Sequence, residues 1–152
     1  MATTAQTTIR FGKDSDFEKL QPLLRRNAQK LQINFDNYCT AAKLMLQDRE
    51  LGFILVAEQD GEFVAFMLMN FEWSDWRDGS FLWVQGLDST SKDIAVRARQ
   101  FRNFKAFLLE NMEAATPYKV CGFRLIENIL RDETEEALAL FDLKSSGYIV
   151  YN

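Results

Sequence analysis

Runs of apolar residues predict the strands of this chain. Residues 7–11, TTIRF, are β-branched and alternating, which is typical of a short strand. The apolar segments 53–58, FILVAE, and 62–72, EFVAFMLMNFE, flank Asp60-Gly61, a dipeptide that favours a tight hairpin turn. The same reasoning predicts three further strands over residues 80–87, 118–127 and 148–151.

Helical spacing of apolar residues predicts four helices between these strands. The first follows Ser15 and Glu18, which have the spacing of a capping box. Pro22 then predicts either a kink in this helix or a later start. The other helices are predicted over residues 34–48, 93–115 and 132–144.

The resulting order is strand, two helices, three strands, helix, strand, helix, strand. Adjacent strands joined by hairpins favour antiparallel pairing, whereas the strand–helix–strand unit at the end favours a parallel pair. A length of 152 residues fits a single domain. We therefore predict one α/β domain over residues 1–152, with a mixed, mostly antiparallel sheet and helices on both faces.

Composition narrows the chemistry that this domain could perform. The formal net charge is −4, which argues against a nucleic-acid partner. The chain has no histidine, so the commonest general base and the commonest metal ligand are both missing, and no metal site is predicted. The sequence starts with small polar residues and holds no apolar run that would span a bilayer. We therefore expect a cytoplasmic protein without a membrane partner.

The segment from Gly52 to Leu87, GFILVAEQDGEFVAFMLMNFEWSDWRDGSFLWVQGL, resembles strands two to four of the GNAT superfamily of N-acetyltransferases. Its W-S-D-W loop is most similar to the diamine and thialysine acetyltransferase branch, and the later ALFDLKSSGY is similar to the family's ending. The resemblance implies a GNAT-like fold, acetyl-CoA as cofactor, transfer to a small-molecule amine or amino-acid derivative, and a homodimer.

The family's cofactor signature, [Gln/Arg]-x-x-Gly-x-[Gly/Ala], stands where its third helix begins, and its backbone N–H groups bind the diphosphate of coenzyme A. Anchoring this signature on Leu108-Leu109 places Gln100 first and puts Asn103 and Lys105 at the two small positions. Since residues 96–107 contain no glycine, side chains would have to replace the loop. The cofactor-binding residues implied are Leu87, Ser89, Gln100, Arg102, Asn103 and Lys105.

Basic side chains are frequent at the start of the predicted third helix. They form either an anion site for the phosphates of coenzyme A or a solvated helix face, and the sequence leaves both open. The residues concerned are Lys92, Arg97, Arg99, Arg102 and Lys105.

The family's catalytic groups are also replaced. Gln85-Gly86 stands where the diamine-type branch has a Glu-Asp pair, and glutamine cannot accept a proton at neutral pH. Glu72 and Asp88 are the remaining candidates for a base, although Asp88 is better suited to capping the turn over residues 89–91. Leu143 stands where the family has the tyrosine that protonates the leaving thiolate.

Aromatic and acidic residues of the loop suggest where an amine could bind. Trp73 and Trp76 with Asp75 could form an amine-binding mouth, since ammonium groups bind well over indole faces; the alternative is a packed hairpin loop with solvated acids. Two functions remain: a divergent N-acetyltransferase, or an inactive pseudo-acetyltransferase that serves as a binding or regulatory module.

Overall fold

Six strands form one sheet in the order of the chain. The computed structural model describes residues 6–126 and 149–151. The three pairings among the first four strands are antiparallel, and the last two pairings are parallel. This confirms the predicted mixed, mostly antiparallel sheet. The strands are β1 (Thr8–Phe11), β2 (Gly52–Gln59), β3 (Glu62–Ser74), β4 (Gly79–Ser89), β5 (Val120–Ile126) and β6 (Ile149–Tyr151).

Four α-helices lie between these strands, and a 3-10 turn over Asp14–Asp16 precedes the first. The third predicted helix is divided in two at Asn111. The helix predicted over residues 132–144 lies outside the described residues. No helix within residues 6–126 is both long and apolar enough to cross a membrane. The helices are α1 (Phe17–Leu31), α2 (Phe35–Gln47), α3 (Ile94–Glu110) and α4 (Met112–Ala115).

The start of α1 differs from the prediction. Asp16, rather than Ser15, makes the local contacts: its carboxylate accepts a 2.9 Å hydrogen bond from the backbone N–H of Lys13. The same carboxylate accepts two bonds of 2.7 and 2.9 Å from the Arg10 guanidinium on β1. The helix begins at Phe17 and continues through Pro22, so the later start was wrong. An ion pair between β1 and the turn before α1, six residues apart in the chain, therefore fixes the entry to α1, and the capping motif at Ser15 did not reveal it.

The helices cover both faces of the sheet, as predicted. Alternate residues of β2 point to opposite faces, and both sets are buried, which explains why this strand is a continuous apolar run. One face packs against α1 and α2 through Leu20, Leu24, Ala42, Ile54, Val56 and Phe66. The other packs against α3 through Phe53, Leu55, Met67, Phe101, Phe104 and Leu108.

The predicted β2–β3 hairpin is confirmed. Asp60 and Gly61 have φ of 53° and 79°, so both turn residues are left-handed. Aspartate tolerates this conformation and glycine adopts it freely, which is why the dipeptide marks the turn so well.

Candidate functional site

The C-terminal half of β4 is irregular on one edge and open on the other. Leu68 pairs with Gly86 while Met69 pairs with Val84, so Gln85 is an extra, bulged residue. On the opposite edge, pairing with β5 ends where Val84 meets Leu125. Among the described residues, no strand pairs with that edge beyond this point. Part of this edge is occupied within the protein, because the Leu87 carbonyl oxygen and both backbone groups of Ser89 bond to side chains. Only the remaining backbone groups between Gln85 and Leu87 can meet a ligand.

Side chains of α1 and α2 hold this bulge in place. The Asn27 amide donates a 3.0 Å hydrogen bond to the carbonyl oxygen of Leu87. The Tyr38 hydroxyl donates a 2.7 Å bond to Asn27 Oδ1, and burial, with a contribution from Asp88, raises the pKa of this phenol far above its ordinary value. A Cβ at Gly86 would lie 2.0 Å from the Tyr38 hydroxyl oxygen. The close approach of Tyr38 therefore requires glycine at this position.

Asp88 is fully buried at the end of the bulged segment. Its carboxylate lies 2.9 Å from Lys30 Nζ, 3.2 Å from Arg97 and 3.3 Å from Arg26. It also accepts a 2.8 Å hydrogen bond from the backbone N–H of Ser89. Asp88 thus joins α1, β4 and α3 as the centre of an ion-pair cluster. The structure places this predicted base among cations inside the protein rather than at an open surface.

A cationic cleft of about 570 Å³ lies beside this cluster. Arg26 and Lys30 of α1 face Lys92 and Arg97 across it, and Asp88 offsets one of these four positive charges. Gln29, Ser91 and Ile94 complete the lining. Lys92 and Arg97 were predicted from the sequence, whereas the two cations of α1, Arg26 and Lys30, were not. The sequence feature that could have pointed to this part of α1 is Asn27, a polar residue on the apolar stripe of an amphipathic helix.

The basic residues of α3 do not form one surface. Arg97 is buried and donates hydrogen bonds of 3.2 and 3.1 Å to the carbonyl oxygens of Ser89 and Ser91. Arg99 and Arg102 are exposed and line no part of the cleft. Each interpretation of the basic run therefore holds for part of it. Lys92 and Arg97 line the cleft, whereas Arg99 and Arg102 face solvent.

The N-terminus of α3 is capped by a carboxylate. Asp93 Oδ1 accepts hydrogen bonds of 2.8 and 3.2 Å from the backbone N–H groups of Ala95 and Val96. Since α3 begins at Ile94, Asn103 and Lys105 lie well inside the helix and not at its start. Their backbone groups cannot form a phosphate-binding loop there, which corrects the register predicted from Leu108-Leu109.

The other predicted cofactor-binding residues lie partly in the interior and partly on the surface. Gln100 is buried and accepts a hydrogen bond from the Ser89 hydroxyl, so both side chains are internal. Leu87 is buried in the core on the α3 side. Arg102 is exposed on α3. Only Leu87 and Ser89 belong to the C-terminal half of β4. Both backbone groups of Ser89 and the Leu87 carbonyl oxygen are bonded to side chains, so Leu87 can meet a ligand there only through its N–H.

The second predicted base, Glu72, lies farther along the sheet. Its side chain is 45% exposed, forms an ion pair with Arg124 of β5 and accepts a 3.4 Å hydrogen bond from Trp83 Nε1. Glu72 pairs with Phe81, four residues before Gln85, a separation of about 13 Å along the strand. The structure therefore places Glu72 on an exposed part of the sheet but not beside the bulge.

The predicted amine-binding residues lie at the opposite end of β4. Trp73 pairs with Ser80, five residues before Gln85, or about 17 Å along the strand. Its indole N–H donates a 2.7 Å hydrogen bond to Asp75. Trp76 is 96% exposed in the β3–β4 turn. The structure brings Trp73 and Asp75 together, but it does not bring them to the cationic cleft.

Comparisons with known proteins identify the fold. No family model and no curated protein matches the sequence. Among solved structures, a "possible acetyltransferase" from Clostridium difficile 630 is 26% identical with a TM-score of 0.64, covering 87% of this chain and 88% of that one. A ribosomal-protein-alanine N-acetyltransferase from Brucella melitensis biovar Abortus 2308 is 18% identical with a TM-score of 0.64, covering 91% and 90%.

A predicted acetyltransferase from Clostridium acetobutylicum, solved with acetyl-CoA, is 14% identical with a TM-score of 0.55, covering 79% of this chain and 80% of that one. These likenesses extend over most of the chain. The chain has the fold of the GNAT superfamily of acetyltransferases.

Proposed function

We propose that this protein is an acyl-CoA-dependent N-acetyltransferase that acts on a small amine or amino-acid derivative. The observation that carries the proposal is the open edge of β4, which ends at a cleft lined by four cationic side chains. Coenzyme A combines a multiply charged phosphate end with an extended arm that contains two amides. An open strand edge next to a cationic cleft offers complementary groups to both parts.

In the described residues, side chains rather than backbone N–H groups would bind the phosphates of such a ligand. Asp93 already occupies the N–H groups of Ala95 and Val96, so the helix N-terminus has fewer backbone donors for phosphate. The cations of the cleft would bind the phosphates instead, as charge-assisted donors. An amide of the arm would pair with the backbone groups of Gln85–Leu87 that no described side chain bonds, as an added strand does.

Acyl transfer requires that the amine nitrogen attacks the thioester carbonyl and loses a proton while the thiolate leaves. Backbone N–H groups of the bulged segment, fixed by Asn27 and Tyr38, are suited to stabilise negative charge on the carbonyl oxygen. Glu72 is the carboxylate on the exposed side of the sheet near Trp83. Because it is about 13 Å from the bulge, it could take the proton only along a chain of several water molecules.

The alternative proposal is a pseudo-acetyltransferase that keeps the fold and serves as a binding or regulatory module. Two observations favour it: the Asp93 carboxylate stands at the helix terminus where the family binds diphosphate, and Asp88 is enclosed by cations. Gln85 supplies no base at the bulge. The two proposals differ in whether acetyl-CoA binds and turns over.

Calorimetric titration with acetyl-CoA tests the first proposal. We expect saturable binding that Lys92→Ala weakens about fivefold, equivalent to about 1 kcal/mol for one exposed charge–phosphate contact. Arg102→Ala is the matched control, because it removes the same charge from an exposed position outside the cleft and should leave the affinity unchanged. The absence of binding at millimolar acetyl-CoA would refute the first proposal.

Turnover separates the two proposals once binding is established. Release of free thiol from acetyl-CoA in the presence of small amines would support the enzyme, and Glu72→Gln should slow it without changing acetyl-CoA affinity. Binding without release of thiol across diamines, lysine analogues and amino acids would favour the regulatory module.

A further inference from the structure

A second cavity, of about 690 Å³, lies at the other end of the sheet from the cationic cleft. It is an open cavity bounded by the segment between α2 and β2, the end of β3, the start of β4, the end of α4 and the segment that follows α4. This volume is in the range of small-molecule sites. The lining residues that matter for its chemistry are Arg49, Glu50, Phe71, Trp73, Pro117 and Tyr118.

Aromatic rings form one wall of this cavity. Trp73 and Tyr118 are 49% and 60% exposed, and their ring centroids are 5.5 Å apart in an edge-to-face arrangement. The indole N–H of Trp73 is bound to Asp75, so the orientation of this ring is fixed. Phe71 lies beside them on β3. Exposed aromatic faces with a fixed orientation provide a surface for another ring or for a cation.

The charges at this wall favour a positive ligand. Glu50 is exposed, and within residues 6–126 its side chain forms no ion pair. Asp75 adds a second carboxylate beside Trp73. Arg49 is the one cation in the described lining, and it is held by a 2.8 Å hydrogen bond to the carbonyl oxygen of Ala114.

Further contacts make Arg49 part of the wall. Its guanidinium lies 4.2 Å from the centroid of the Phe11 ring, and burial lowers its pKa. The guanidinium therefore already has a carbonyl partner and an aromatic partner. Because the Arg49 guanidinium is held by these partners, the Glu50 carboxylate is the charged group of the described lining that is left to pair with an incoming molecule.

We propose that this cavity is a binding site for a small molecule that carries an aromatic ring and an ammonium group, separate from the site of acyl transfer. The ring packs against Trp73 and Tyr118, and the ammonium group pairs with Glu50. The site is about 17 Å along β4 from the bulge, too far for the ammonium nitrogen of such a small ligand to be the acyl acceptor. The inference therefore does not depend on the proposed transferase activity.

The test uses three probes of similar size: 2-phenylethylamine, 2-phenylethanol and 3-phenylpropanoate. We expect saturable binding of the amine to the whole protein, monitored by tryptophan fluorescence and calorimetry, with a dissociation constant of about 1 mM for so small a ligand. The alcohol should bind severalfold more weakly and the carboxylate weakest. Failure of the amine to saturate, or tightest binding by the carboxylate, would overturn the proposal.

Variants locate the site and protect the test from misfolding. Trp73→Leu should abolish binding, whereas Trp76→Leu removes a 96% exposed indole outside the cavity and should leave it unchanged. Glu50→Gln, at an exposed position that tolerates substitution, should reduce the affinity for the amine to that for the alcohol. Lys92→Ala should have no effect, which separates this site from the cationic cleft. Equal amine binding by the wild type and Glu50→Gln would contradict the role of Glu50.

Discussion

Replacing Gly86 by alanine would place a methyl group against a side chain that cannot easily move. The new Cβ would be 2.0 Å from the Tyr38 hydroxyl oxygen, 3.2 Å from Tyr38 Cζ and 3.3 Å from Asn27 Oδ1. Tyr38 is only 7% exposed, so neither its ring nor its hydroxyl can move into solvent. Either Tyr38 shifts and loses its hydrogen bond to Asn27, or the bulged segment of β4 moves.

Both responses destabilise the protein. Overpacking of this kind costs about 1–3 kcal/mol, and a lost buried hydrogen bond adds about 1 kcal/mol. We therefore expect Gly86→Ala to lower the free energy of unfolding by about 2–4 kcal/mol. Tyr38→Phe removes the oxygen that meets the new methyl, so Gly86→Ala should cost clearly less in the Tyr38→Phe background.

Urea denaturation of the wild type, both single variants and the double variant gives the coupling free energy between the two positions. Partial rescue in the double variant is the expected result, because Cζ of residue 38 would still be close to the methyl. A cost below about 0.5 kcal/mol for Gly86→Ala, or the same cost in both backgrounds, would refute the packing argument at the bulge.

Two further predictions concern buried carboxylates. Asp88→Asn should lower the free energy of unfolding by about 2–4 kcal/mol, less than the loss of a fully buried ion pair would, because Arg26 and Lys30 are about one-third exposed. Urea denaturation measures this change. Asp78→Asn, at an exposed position, is the control and should change stability by less than about 0.5 kcal/mol. The Arg10 hydrogen bonds hold the pKa of Asp16 below its ordinary value, so this stabilisation is present at neutral pH and is lost as pH falls below about 4 towards the folded-state pKa. Asp16→Asn should therefore flatten the acid limb of the stability curve, and an unchanged acid limb would contradict the role of Asp16.

The sequence predicted the elements whose signals are local. Asp60-Gly61 predicted the hairpin correctly because the turn needs residues in the left-handed conformation. The apolar run over residues 53–58 predicted a strand correctly because both faces of that strand are buried. The capping box predicted at Ser15 was wrong because Arg10, on the preceding strand, binds the neighbouring Asp16 instead. Local patterns therefore place elements well and fail where a tertiary ion pair decides the detail.

The candidate site was harder to predict, since its parts meet only in three dimensions. Lys92 and Arg97 were recognised from their place before and within α3, whereas Arg26 and Lys30 come from a helix more than 60 positions earlier. The family signature was placed too late in the chain because its small residues are absent, and two leucines near the end of α3 gave the only anchor. The capping role of Asp93 shows where that helix begins.

The central claim is that acyl-CoA binds along the open half of β4 and reaches the cationic cleft. Amide chemical-shift mapping by NMR, with acetyl-CoA added to the labelled protein, tests it most directly. The account predicts the largest shifts between Gln85 and Arg97, with little change around Trp73 and Tyr118. No shift in that segment at saturating ligand, or shifts confined to the aromatic cavity, would contradict it.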